Sequence, residues 1–182
     1  MKHIFFFVAL LATLITHKSF AQDSTSKHQL SQLLTQYYNI KDALVAGNNK
    51  EASNSAEQLV KTLNSIDYKV ITEGNINALL KDATAISETK DLGKQREQFS
   101  RLSNNMAALS KTVHLSETPI YQAYCPMKKA SLLSAEKEIK NPYFGSSMLS
   151  CGSVVQTIQK SGSGRLRGVR ILPLPQSSNK TI

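Results

Sequence analysis

Four sulfur-bearing side chains stand in two short groups near the C-terminal end of the chain. Cys125-Pro126-Met127 places a thiol and a thioether two positions apart, and Met148 and Cys151 are three apart. In an extended segment the first pair points to one side, and on a helix the second pair shares a face. Two thiolates and two thioethers make a soft donor set, which suits monovalent copper and is avoided by hard cations such as magnesium. Zinc more often takes His or Cys where this chain has thioethers. Cys125, Met127, Met148 and Cys151 are therefore the candidate metal ligands. A disulfide is the competing reading: the two cysteines are 26 positions apart, and closing that loop stabilises a fold by on the order of 3 kcal/mol. Such a bond would remove both thiolates from the ligand set.

The segments that must position these residues follow a helical period. From Lys27 to Ala46 the apolar positions Leu30, Leu33, Leu34, Tyr37, Ile40, Ala43 and Leu44 recur every three or four residues, and Gly47 follows as a stop. A second stripe runs from Asn49 through Leu59 and Leu63, and a third follows Gly74 with Ile76, Leu79, Leu80, Ala83 and Ile86. The fourth, from Asp91 to Val113, carries Leu92, Phe99, Leu102, Met106 and Leu109. Each stripe must bury itself against the others, which predicts an all-α, up-and-down four-helix bundle. Its shared core is expected to hold Leu34, Tyr37, Leu59, Leu80, Phe99, Leu102 and Met106. Beyond His114 the pattern breaks. Ile120–Cys125 is rich enough in Tyr and Ile to be extended, while Asn141-Pro142 reads as a helix start and Gly152 as its stop. The expectation is a C-terminal loop and short-helix segment carrying Cys and Met.

The N-terminus points to export. Lys2 and His3 precede the apolar run Ile4–Ile15, and Ser19-Phe20-Ala21 offers small residues at a cleavage site. Residues 1–21 read as a secretory signal peptide, leaving a soluble periplasmic or otherwise exported protein with no membrane span after cleavage. Residues 22–160 form one helical domain in this reading, and residues 161–182 a flexible basic tail. With 182 residues, 41% of them hydrophobic, the chain can build one core of ordinary size and has little for a second. The formal charge is +9, but Lys and Arg alternate with Asp and Glu along the helices, so no nucleic-acid surface is expected.

The stretch Tyr121–Met127, then Leu133-Ser134, Lys137–Gly145 and Met148–Gly152, resembles the family DUF3347. The resemblance runs from about Leu30 to Ile158, with Leu132 where the family usually has an aromatic. It implies an exported helical domain associated with copper or other heavy-metal handling, and a periplasmic efflux adaptor or another copper-handling protein as partner. Cys125, Met127, Met148 and Cys151 are the matching positions, and a copper ion is the implied ligand.

Other polar residues carry less. His114 can be read as a fifth ligand or as a helix-terminal partner of the dipole, and His28 as a solvated side chain. Gly162-Ser-Gly-Arg-Leu-Arg-Gly follows no strand pattern and lacks the Lys-Ser/Thr ending of a phosphate loop. The chain contains no G-x-S-x-G, H-E-x-x-H or C-x-x-C, and enzymatic activity is not expected.

Overall fold

The computed structural model describes residues 18–159. Four helices come first: α1 (Lys18–Val45), α2 (Asn49–Ser65), α3 (Glu73–Ser87) and α4 (Leu92–Leu109). Their ends follow local chemistry. Gly47 adopts a left-handed φ of 71°, which lets the N–H of Asn48 reach back to the carbonyl of Ala43 at 2.9 Å and close α1. The Asn48 side chain then accepts the N–H of Glu51, and Asp91 accepts that of Lys94, capping α2 and α4. Consecutive helices pack on each other, burying Leu34, Tyr37, Leu59, Phe99, Leu102 and Met106 as expected; Leu80 lies at the edge of that core, partly buried.

The all-α expectation is overturned by the segment C-terminal to the helices. Strands β1 (Ile120–Cys125), β2 (Ala130–Ser134) and β3 (Ser153–Ile158) form an antiparallel sheet in the order β2-β1-β3. The short helix expected after Asn141-Pro142 is a single 3-10 turn, Gly145–Met148. Asn141 does cap, accepting the N–H of Tyr143 at 2.8 Å. An α-helix does not grow from it, because Gly145 takes a φ of 55° and the N–H of Asn141 bonds the carbonyl of Leu149, drawing the segment into a closed loop. Gly145 suits that place because a side chain is strained at this positive φ whatever the space around it.

The sheet rests on α4 through β2, and Tyr37 of α1 makes the join. Its fully buried hydroxyl accepts the backbone N–H of Leu133 in β2 at 3.0 Å and shares a 2.7 Å hydrogen bond with the Ser103 hydroxyl of α4. The ring stacks on Phe99, with centroids 5.2 Å apart, and Phe99 in turn meets Tyr143. Burial pushes the Tyr37 phenol up to about 12, against the lowering pull of the Leu133 N–H and the Ser103 hydroxyl, so it stays neutral and keeps its proton.

Removing this hydroxyl strands a buried N–H. Tyr37→Phe is expected to destabilise the protein by about 1–3 kcal/mol, read as a lower denaturation midpoint with an unchanged slope.

Candidate dithiol site

The end of β1 and the start of β3 meet at Cys125 and Cys151. Their Sγ atoms lie 3.2 Å apart as a hydrogen-bonded pair of free thiols. Three features bring them there. The pairing of Tyr124 with Ser153 sets the two strand ends side by side. Gly152, at φ 128°, lets the chain pass so close to β1 that a Cβ would stand 2.9 Å from the carbonyl oxygen of Tyr124. Asn141, fully buried, donates from Nδ2 to the carbonyl of Cys151 at 2.6 Å and holds that residue against the loop.

The two thiols differ in setting. Cys125 is fully buried, and Cys151 is half-buried. Burial alone would raise the Cys125 thiol. The N–H of Lys128, the Cys151 thiol, the Asn141 side chain and the N–H of Met127 together outweigh it and hold Cys125 below the ordinary thiol value. Cys151 is pushed up, first by its hydrogen bond to Cys125, then by desolvation and by the neighbouring negative charge. The two sulfurs share a hydrogen bond, and they titrate as a pair.

Of the four candidate ligands, the structure brings the two cysteines together. Met127 lies in the turn Pro126–Lys129 that joins β1 to β2, 63% exposed, and offers its backbone N–H to both sulfurs. Met148 ends the 3-10 turn, and its carbonyl accepts the N–H of Cys151 at 3.2 Å. The contacts that tie both methionines to the pair run through their backbones, not through a shared helix face. His114 stands elsewhere, with Nε2 3.5 Å from Glu117, and lines a cleft with Lys27 and His28 that none of the four sulfur residues enters. Among the described residues, no group of three or more His, Cys, Asp and Glu is placed to hold a metal ion.

The spacing of Cys and Met types made the sulfur residues visible in the sequence. The part played by Asn141 was not, because its legible signal was the cap it also makes, and the reach to Cys151 depends on the loop closing.

The domain is thus a four-helix unit with a small antiparallel sheet, and the sheet carries a dithiol at one end. The model of DUF3347, a family described as of unknown function, matches residues 33–118. The matched stretch covers the C-terminal part of α1 and all of α2 to α4, and it ends two residues before β1. The family match therefore rests on the helices and not on the Cys- and Met-bearing motifs that suggested it. No curated protein and no solved structure matches the chain.

The split between the two thiols has a pH consequence. A thiol held low in the folded state adds stability as pH rises through its folded value, complete above the unfolded value of about 8.5. A thiol pushed up, as Cys151 is, removes stability as pH rises from that same unfolded value to its folded one. The reduced protein is therefore expected to gain most from this pair near the ordinary thiol value and less on either side. Denaturation under reductant across that range, compared with a Cys125→Ala/Cys151→Ala double variant, should show a bell-shaped difference.

Proposed function

We propose that this protein binds a soft metal ion as cargo, copper in its monovalent state foremost, and works outside the cytoplasm in metal resistance or efflux. The observation that carries the reading is the pair Cys125 and Cys151, 3.2 Å apart and bordered by the N–H groups of Met127 and Lys128. N–H donors hold the Cys125 thiol low, and a cation bound between the two sulfurs would offset the neighbouring charge that pushes Cys151 up, giving the two-thiolate donor set that a soft cation selects. Metal binding would displace the thiol protons. Met127, exposed in the turn next to Cys125, is a thioether free to swing toward the pair, and Met148 supplies a second on the loop that holds Cys151. The efflux association, with an adaptor or other copper-handling protein as partner, rests on the DUF3347 resemblance. It adds no residue to the argument.

Copper(I) competition titrations on the reduced wild type, Cys151→Ser and His114→Ala test the site. Tight binding lost only in Cys151→Ser is the expected result, and equal affinities for all three would refute it. Export rests on residues 1–21, of which 1–17 lie outside the described residues, while Lys18 to Ala21 form the first turn of α1. Among the described residues, no helix is long and apolar enough to cross a membrane. The intact mass of protein from its native host is expected to correspond to a chain beginning at Gln22. A mass that retains residues 1–21 would count against export.

A further inference from the structure

We propose that Cys125 and Cys151 form a reversible redox site, oxidised by small-molecule disulfides to an intrachain disulfide, and that this oxidation switches off the soft-metal site. The second half rests on the metal reading; the first does not.

Three observations carry it. The chain has two cysteines and no third, so a thiol exchange that begins on one has a single partner within the molecule. Those two already touch, across strand ends that β1–β3 pairing sets side by side. Finally, the pair is asymmetric in access: Cys151 is half-buried at the rim and Cys125 is fully buried behind it. An incoming disulfide meets Cys151 first.

The chemistry balances in two exchanges. Cys151 loses its proton and its sulfur attacks one sulfur of the small disulfide RSSR. A Cys151–SR bond forms, the S–S bond of RSSR breaks, and the departing RS⁻ takes up a proton to leave as RSH. Cys125, its thiolate supported by the N–H groups of Lys128 and Met127, then attacks Sγ of Cys151. The intrachain bond forms, the Cys151–SR bond breaks, and a second RSH leaves. Two protein thiols have given up two electrons and two protons, and one RSSR has become two RSH. A thiol in excess reverses both steps. Cys151 needs only a small shift to close on Cys125. Gly152, the residue joining it to β3, has no Cβ to resist that shift, and the bonds that hold Cys151, from its N–H to Met148 and from Asn141 to its carbonyl, are made by its backbone and leave the side chain able to turn.

A disulfide also changes what the site offers. The electron pairs that would bind a soft cation are engaged in the S–S bond, and Met127 and Met148 are left as the soft donors. Oxidation is therefore expected to abolish metal capture without removing any residue.

The test uses the full chain, reduced and then equilibrated with oxidised glutathione, with free thiols trapped by an alkylating agent before intact-mass measurement. The expected wild-type product has lost two hydrogens, carries no glutathione and takes no alkyl group. Cys125→Ser is expected to retain one glutathione, on Cys151, because nothing resolves it, and Cys151→Ser to take up far less. A wild type that accumulates the glutathione adduct or an interchain dimer would overturn the proposal, and so would equal adducts on the two single variants. In a second arm, copper(I) competition is measured on the reduced and the oxidised wild type. Binding by the reduced form alone supports the switch, and equal binding by both overturns it. If neither form binds, the metal reading and the switch fall together, while the masses still decide the redox site.

Discussion

The Tyr37 hydroxyl joins the two halves of this structure. A sheet laid on a helical bundle brings an edge strand into the interior, and buried backbone groups must find partners there. In β2 those partners are side chains. Tyr37 takes the N–H of Leu133, the Asn104 carbonyl oxygen takes the N–H of Ser131 at 2.9 Å, and the Tyr143 hydroxyl donates to the carbonyl of Ser131. Ser131 and Leu133 are the alternate residues whose backbone groups face away from β1, so this edge is closed by α1, α4 and the loop after Asn141 together. The Ser103 hydroxyl ties Tyr37 to α4 behind that edge. Apolar packing alone would let the sheet slide along α4; these polar contacts fix where it sits.

From that anchored edge the rest is placed by strand pairing. β1 takes its position from β2 over the pairs Tyr121–Ser134 to Cys125–Ala130, and β3 takes its own from β1 with a register shift between Gln122 and Ala123. The dithiol is thus held two strands out from the helices. Residues of β3 are almost wholly exposed, Val154 and Val155 included, and among the described residues no strand lies beyond it. The sheet has one edge sealed by side chains and one edge open, and Cys151 begins the open one. Gly152 and Asn141 therefore carry more of the site's precision than any core residue does.

The helical half was legible because each signal there is local. Leu33, Tyr37, Ile40 and Leu44 repeat at helical spacing, and Asn48, Asp91 and Gly47 terminate segments by bonds to residues a few positions away. Of the strands, β1 alone was signalled, by the Tyr- and Ile-rich run Ile120–Cys125. β2 buries nearly every residue and β3 exposes nearly every one, so neither alternates, and alternation is what marks a strand in a sequence. Asn141-Pro142 spelled a helix start correctly at the level of the cap, but the positive φ of Gly145 and the bond from Asn141 to Leu149 belong to the loop's own closure. Tyr37 read as one apolar position among several. Its hydroxyl acquired a role only once a strand nearly a hundred residues later needed an acceptor.

The arrangement of the two thiols inverts the usual relation between access and acidity. In a site built for fast attack on outside partners, the reachable sulfur is the one held as thiolate. Here the N–H groups of Lys128 and Met127 and the side chain of Asn141 hold the buried Cys125 thiol low, while Cys151 at the rim is pushed up. The more acidic thiol is shielded, the accessible one is the less acidic, and the two share a hydrogen bond. Whatever reaches the pair meets the less acidic sulfur first, with the other 3.2 Å from it. The proposed cargo and the proposed oxidant are both of the kind that engages two sulfurs, so each would meet Cys151 at the rim and Cys125 directly behind it.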